Sequence, residues 1–483
     1  MLTELTDLIK GYLPEADFSI LEKAYNFAKT AHAGQSRASG EDFFSHCVEV
    51  AKILASIKLD IPTLSAALLH DILEDTTVTE AELKKEFGDE IASMVEGVTK
   101  IGSYHFSDPE EAHAENWRKM LLAVTKDIRV ILIKLADRIH NLKTIKYLPA
   151  EKQKDIASES LNLYAPFAQR LGIYKWKNEI EDLSFEVLEP EEYKILFEKI
   201  SISKENNAQN IDLWKKLITE KLEGSGINFR LSARPKNLYG IYKKMQRQNK
   251  SFEEIQDVIG LRLITDSVAN CYGLLGLINT YFSPIPGSFT DYVSLPKMNM
   301  YQSLHTSIIG PGNITAEIQI RTEEMHRRAE YGIAAHWRYK EKGEIQQTGS
   351  QVTEDVENKL NWLRQVLEWQ QDLKDSKEFL ATFKAECEFE QVFVFTPKGK
   401  VIKLPSGATP IDFAYAIHSD IGDHCFGAKV GNKIVPLNYE LKSGEICEIL
   451  VKKSVKPTEH WLEMAITANA RSKIRKYLRE EQK

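Results

Sequence analysis

The stretch ALLHDILEDTT, residues 67 to 77, sets His70 and Asp71 side by side and places Glu74 and Asp75 four residues behind them. Positions four apart share a helix face, so the spacing predicts two metal-type ligands with two carboxylates one turn away. Imidazole beside carboxylate suits a borderline first-row ion such as Mn, Fe or Zn better than an all-oxygen magnesium cage. Manganese is the favoured expectation. Carboxylates at that distance serve as a general base or position the water that a cation activates, and the reading is therefore hydrolysis.

A cation needs more protein ligands than two. The missing ones are offered by His46 in FSHCVEVA and Asp137 in KLADRIHNLKT. A His-Asp dipeptide alone is common and an acidic pair on a helix is usually a solvated face, so it is the four residues together that carry the reading. Of the other histidines, His105 and His113 sit in a polar stretch and read as surface residues, while His140 reads as helix packing.

The segments AHAGQSRASGEDFFSHCVEVA, LLHDILEDT, ENWRKMLLAVTKDIRVILIKLADRIHNLKT and LYAPFAQRLGIYKWKNEIEDLSF resemble the hydrolase domain of the RelA/SpoT family, within the HD superfamily of phosphohydrolases. That family makes and destroys the alarmone (p)ppGpp, and its hydrolase releases the 3′-pyrophosphate to leave GDP or GTP. The resemblance implies that His46, His70, Asp71 and Asp137 hold Mn2+ and that Glu74 and Asp75 serve the attacking water. It implies that Arg37 and Ser39 meet the guanine side of the substrate, with Asn141 and Thr144 near its ribose. Two positions depart from the family. Cys47 stands where proline is usual, which alters only backbone stiffness. Ala38 stands where lysine is usual, which removes a cation near the base and predicts weaker substrate affinity.

At 483 residues the chain exceeds one ordinary domain, and typical domain size predicts three or four units. No apolar stretch approaches a membrane-spanning length, and the start MLTELTDLIKGYL lacks the order of a secretory signal, so a cytoplasmic location without membrane contact is expected. The five cysteines, Cys47, Cys271, Cys387, Cys425 and Cys447, are far apart without a C-x-x-C pair, which predicts buried or idle thiols rather than disulfides or a zinc site. With a net charge of −7, a polyanion must be met by local clusters, such as the six cations in RPKNLYGIYKKMQRQNK.

Residues 1 to about 190 read as almost wholly helical, with 3.6-period segments. The polar interruption SKENNAQN reads as a join between domains. Strand signals follow in DVIGLRLIT, FTDYVSLP and ITAEIQIRT. In the last, Ile314, Ala316, Ile318 and Ile320 face a core while Thr315, Glu317, Gln319 and Arg321 are left for chemistry. KGEIQQTGSQVTED reads as a flexible linker, PKG in QVFVFTPKGKVIKLP as a hairpin turn, and ARSKIRKYLREEQK as a closing basic helix. The expected division is 1–195, 196–342, a linker and connecting helix at 343–388, 389–453, and a C-terminal helical segment at 454–483.

The second segment resembles the family's synthetase domain, through ARPKNLYGIYKKM, FEEIQDVIGLRLI, DYVSLPKMNMYQSLHT and AEIQIRTEEMHRRAEYGIAAHWRYK. The resemblance implies a nucleotidyltransferase-like α/β fold that moves pyrophosphate from ATP to GDP or GTP. Asp257 would bind Mg2+, and Glu317 would assist that site and the acceptor hydroxyl. Arg234, Lys236 and Lys244 would hold ATP phosphates, Tyr301 would stack on guanine, and Lys297, Asn299 and His305 would line the acceptor pocket. Several family positions differ. The tract that carries Arg-x-Lys-Asp in bifunctional members reads Ser288-Phe289-Thr290-Asp291, Met300 replaces a glycine, and Gly240 replaces a serine. Lost charge-assisted contacts cost about 1.5–3 kcal/mol each, on the order of ten- to a hundredfold in rate. The expectation is a working hydrolase joined to a synthetase that is weakened or kept for regulation.

The segment from VFVFTPKGKV to CEIL resembles a TGS domain of β-grasp fold, which in this family senses ribosome-associated uncharged tRNA, with His418 near the tRNA acceptor end. Long members continue with zinc-finger-like and ACT domains, so the chain is either a short form or part of a longer protein. The whole is thus expected to be multidomain, with an all-α HD-type domain, an α/β synthetase domain and a TGS domain. Rival readings are a fully bifunctional enzyme, a general HD nucleotidase without guanine selectivity, and a non-enzymatic tRNA- or ribosome-binding regulator.

Overall fold

Two aspartate caps start the two helices that precede the His-Asp motif. Asp42 accepts the amide of Phe44 at the head of Phe43–Ala55, and Asp60 accepts the amide of Thr63 at the head of Ile61–Leu68, where Pro62 fills the first turn. The computed structural model describes residues 1–99, 122–234, 237–252, 259–297, 299–310, 315–336 and 391–481. The chain forms two compact units, Met1–Ala92 with Leu132–Asp355, and Ser93–Ile131 with Val356–Lys483.

Among the described residues up to 190 the structure is helical, as expected, with no strand longer than the single bridge between Ser36 and Asp42. Ile61–Leu68 is buried on every side, which fits its uniformly apolar and small residues, and it packs between Ser19–Ala31 and Phe43–Ala55. The motif itself differs from the expected single helix. The helix stops at Leu68, His70 and Asp71 lie in a turn, and a new four-residue helix runs from Ile72 to Asp75. The reason is local. His70 Nδ1 lies 2.8 Å from the Ala67 carbonyl, the acceptor that the Asp71 amide would need to continue the helix.

Pro190–Leu222 runs as one helix of 33 residues through the polar SKENNAQN tract, where a join was expected. Lysine, glutamate, glutamine and alanine are good helix formers, and the tract has no glycine or proline to stop it. Beyond it lies a mixed sheet in the order β1 (Phe229–Arg234), β2 (Ile259–Thr265), β6 (Thr315–Thr322), β5 (Leu304–Ile309) and β3 (Ser283–Pro284), with β4 (Thr290–Asp291) paired to β5. Only β2 and β6 are parallel. Ala316, Ile318 and Ile320 pack into a core with Trp214, Ile218 and Leu274, as their alternation predicts. FTDYVSLP forms only the two-residue β4, because the Asp291 carboxylate accepts the amides of Val293 and Ser294 and turns the chain.

In the second unit, β7 (Gln391–Phe395) and β8 (Val401–Pro405) form the expected hairpin, with Gly399 at φ +80° in its turn. β9 (Cys425–Val430) lies between β10 (Lys433–Val435) and β11 (Cys447–Val451). A parallel bridge from Phe395 to Ile446 joins the two sheets, and the helix Pro410–Ile417 contacts β8, β9 and β11. This is the small α/β arrangement expected of a TGS domain. The C-terminal helices Glu459–Met464 and Ala468–Glu481 are not a separate segment. Trp461, Ala470 and Ile474 share a core with Ile411, Ala414 and Tyr415.

Cys47, Cys271, Cys425 and Cys447 are buried free thiols, as expected. Cys387, His105, His113 and the 343–388 linker lie outside the described residues. Among the described residues, no helix is long and apolar enough to cross a membrane.

Candidate metal centre and nucleotide pocket

His46 projects from the first turn of Phe43–Ala55, His70 and Asp71 from the broken helix, and Asp137 from Arg129–Lys143. Their donor atoms converge. His46 Nε2 lies 3.2 Å from Asp137 Oδ1 and 3.5 Å from Asp71 Oδ2, and His70 Nε2 lies 3.1 Å and 3.9 Å from Asp71 Oδ2 and Asp137 Oδ1. Donors at about 2.0–2.2 Å from one first-row ion stand roughly 3 Å apart, so the spacing fits a shared cation. Two further facts agree. His70 Nε2 is buried without a hydrogen-bond partner, and His46, His70 and Asp137 form a group able to hold a metal ion.

Both aspartates are held in the ionised form that a metal ligand needs. Burial works against ionised Asp71, yet His70 and then His46 outweigh it and hold the carboxyl well below its usual range. Burial likewise opposes ionised Asp137, but Lys134, with Nζ 3.0 Å from Oδ2, outweighs it together with His46 and His70 and holds the carboxyl well below its usual range. Glu74 stands at the mouth of the centre. As a whole residue it is exposed, but the crowding around its carboxyl pushes it up to about 7 against the pull of Lys134. Asp75 is raised for the same reason, burial first and Asp71 second.

Three of the expected substrate residues form one network. Arg37 Nη2 donates to Asn141 Oδ1 at 2.5 Å and Nη1 to Thr144 Oγ1 at 3.4 Å. Ser39 bonds locally to Glu41 instead. His140, read from the sequence as packing, joins the centre. Its Nδ1 lies 2.8 Å from His46 Nδ1 and 3.3 Å from Arg37 Nη1. Burial, then the neighbouring His46 and Arg37, push it down to about 3, so it is neutral. Its position three residues after Asp137 on one helix, in Asp-Arg-Ile-His, was the available signal.

A second site lies over the polar face of β6. A cavity of 410 Å³ is lined by Lys297, Tyr301, His305, Gln319 and Arg321, joined by Arg262 from β2. The Tyr301 hydroxyl meets His305 Nε2 at 2.9 Å, and His305 Nδ1 stands 3.5 Å from Glu317 Oε1. Lys297 Nζ lies 4.4 Å from the Tyr292 ring and 5.6 Å from the Tyr301 ring. On this face Thr315 and Glu317 are half-buried. Gln319 and Arg321 are only 2% and 1% exposed.

Sequence reasoning missed one whole wall of this cavity. Tyr174, Lys175, Asn178 and Asp182 line it from the helix Tyr174–Leu188, which the sequence assigns to the hydrolase segment. Asn299, expected in the pocket, is instead buried beside it, where its amide donates to the Gln169 carbonyl and the Tyr174 hydroxyl. Lys244 sits on the helix Leu238–Gln248 and does not line the cavity. Asp257 and Lys236 lie outside the described residues, and Arg234 is placed only as the last residue of β1.

The departures have local consequences. Met300 adopts φ +64°, the left-handed region that glycine takes without strain. A Cβ on Gly240 would stand 2.5 Å from Asn237 Oδ1, so Asn237, which donates to Glu181, fills the space of the absent serine.

Comparisons with known proteins identify three domain types along the chain. An HD domain model matches residues 24–174, one described as the region found in RelA / SpoT proteins matches 233–344, and a TGS domain model matches 392–451. The chain is 48% identical over 478 residues to the GTP pyrophosphokinase of Myxococcus xanthus, covering 98% of this chain and 62% of that protein. It is 45% identical over 469 residues to the probable guanosine-3′,5′-bis(diphosphate) 3′-pyrophosphohydrolase of Synechocystis sp., covering 97% and 61%. It is 44% identical over 479 residues to the bifunctional (p)ppGpp synthase/hydrolase SpoT of Escherichia coli K12, covering 99% and 67%. The chain thus spans 61% to 67% of the length of these three relatives. With identity of this order along nearly every residue, and three domain types in the same sequence, the chain belongs to the RelA/SpoT family.

Proposed function

We propose that the chain hydrolyses the 3′-pyrophosphate of (p)ppGpp, releasing pyrophosphate and leaving GDP or GTP. The observation that carries this reading is the convergence of His46, His70, Asp71 and Asp137 around an orphaned buried His70 nitrogen. These four residues would hold Mn2+, which when bound acidifies water and offsets phosphate charge. Glu74, with its carboxyl near neutrality, takes the proton of the attacking water, and Asp75 orients that water. Arg37 and Ser39 receive the guanine side, while Asn141 and Thr144 receive the ribose. In this reading the hydrolase occupies 1–195, the synthetase 196–342 and the TGS domain 389–453.

The synthetase is weakened or regulatory in the same proposal. Its cavity carries cations suited to a guanine nucleotide, with Tyr301 as the stacking ring and Glu317 linked to the acceptor side through His305. Asp257 with Mg2+, and Arg234, Lys236 and Lys244, would serve ATP. What supports weakening is Met300 at a strained positive φ beside Tyr301. The TGS domain would meet uncharged tRNA on the ribosome in the cytoplasm through a surface that includes the exposed His418.

The deciding experiment offers ppGpp and ordinary nucleotides to the wild-type chain and to Asp71→Ala with manganese. Selective loss of ppGpp, abolished in Asp71→Ala, is expected. Indifference to ppGpp would defeat the reading. Asp71→Ala, incubated with ATP, GDP and magnesium, tests the second half. Rapid (p)ppGpp synthesis would show a fully bifunctional enzyme instead.

A further inference from the structure

We propose that Glu330 is a positioning residue of the nucleotide pocket, whose carboxylate holds the guanidinium of Arg262 at the cavity wall while the buried Arg321 anchors Glu330 for that task. The inference rests on the reading of the cavity over β6 as a nucleotide site and adds to it the device that aims one of its cations.

The placement starts in the chain. Arg321 is the last residue but one of β6, and Thr322 caps the next helix by accepting the amide of Met325 on its side chain. The helix Glu323–Tyr331 therefore begins at once, and it carries His326 and Glu330, four apart and on one face, past Arg321. Arg321 Nη2 lies 2.9 Å from His326 Nδ1 and 3.3 Å from Glu330 Oε1. That nitrogen has two hydrogens, one for each partner. Burial, then Arg321 itself, push His326 down to about 4, so its ring is neutral and accepts.

Arg262 arrives from the neighbouring strand. β2 and β6 run parallel with Arg262 opposite Gln319 and Ile264 opposite Arg321, so the two arginines lie diagonally on one face of the sheet. Arg262 Nη1 stands 3.1 Å from the same Glu330 Oε1 that takes Arg321. A carboxylate oxygen has two lone pairs, enough for both. The two cations differ in burial. Arg321 is 1% exposed and tied twice to the helix, whereas Arg262 is half-buried at the cavity wall. An arginine side chain has much rotamer freedom to lose when a ligand orders it, and a carboxylate that fixes it beforehand removes that cost from binding.

The test is calorimetric titration of the full chain with GDP and with ATP, in which Tyr301→Ala marks the binding that belongs to this cavity. Glu330→Ala removes the carboxylate, while Glu330→Gln keeps its shape and one carbonyl oxygen. Ordering a flexible side chain costs about 2- to 10-fold in affinity, so Glu330→Ala should weaken that binding by this factor and Glu330→Gln by less. In an Arg262→Met background the same changes at Glu330 should have no further effect, which a merely structural role would not give. Unchanged binding in both Glu330 variants would overturn the proposal. Tighter binding would overturn it as well, and would make Glu330 a counter-ion that nucleotide must displace. So would a loss that persists in full beside Arg262→Met. If Glu330→Ala does not fold, Glu330→Gln with and without Arg262→Met completes the same cycle. A wild-type chain that binds neither nucleotide would sink the reading of the cavity and this one with it. A chain that binds nucleotide but ignores both changes at Glu330 would defeat this proposal alone.

Discussion

Asn299 donates its side-chain amide to the hydroxyl of Tyr174, 2.7 Å away, and to the carbonyl of Gln169 at 3.0 Å. It also accepts the amide of Tyr301 at 3.2 Å, so one buried side chain ties the turn of the nucleotide pocket to the helix Tyr174–Leu188. Asn299→Ala would remove all three of these hydrogen bonds, although the Gln169 carbonyl keeps the amide of Gly172. A loss of about 1–3 kcal/mol is expected, read by urea denaturation. An unchanged midpoint would show that the clamp carries no stability.

Removal of the metal should separate two roles at the proposed hydrolase centre. Chelation should abolish ppGpp hydrolysis, and added manganese should restore it in wild type but not in His70→Ala. Glu74→Gln should keep manganese affinity while kcat falls by roughly 10²- to 10⁴-fold, the usual share of a general base. Equal loss of affinity and rate in Glu74→Gln would make it a ligand instead.

Met300 gives a prediction of opposite sign. Its φ of +64° lies where a side chain costs about 1–2 kcal/mol, part of which glycine returns through its greater freedom in the unfolded chain. Met300→Gly should therefore stabilise the protein by about 1 kcal/mol or less in chemical denaturation. Destabilisation would mean that the methionine side chain holds the turn.

Asp412 is the hub of the C-terminal unit. Its carboxylate, 1% exposed, accepts from the amide and hydroxyl of Thr409, the amide of Ile466, and the amide and hydroxyl of Thr467. Asp412→Ala should cost about 3 kcal/mol or more, since hydrogen bonds to a charged group contribute about 1.5–3 kcal/mol each. Hydrogen exchange over residues 459–481 should accelerate, and unaltered protection there would show that the apolar contacts of Trp461 and Ile474 suffice.

Side chains that must present a particular atom were legible along the chain. His46, His70, Asp71 and Asp137 announce themselves because few residue types bind a cation, and the alternation of β6 announces its core face because strand geometry has a period of two. Identity of residue and local period pointed to helical and strand-bearing segments and to four candidate ligands, and the resemblance to a family supplied the domain types. What they left out depends on meetings between distant segments. His140 reads as packing until the fold sets it 2.8 Å from a histidine 94 positions away. The helix Tyr174–Leu188 reads as part of the hydrolase until the β-sheet closes a cavity against it. The break after Leu68 was missed for a smaller reason, since a ring nitrogen took a carbonyl that helix periodicity assigns to the backbone. Sequence determined which chemistry the residues offer, and tertiary structure alone decided which of them meet, because a contact depends on distances of a few ångströms that no spacing along the chain encodes.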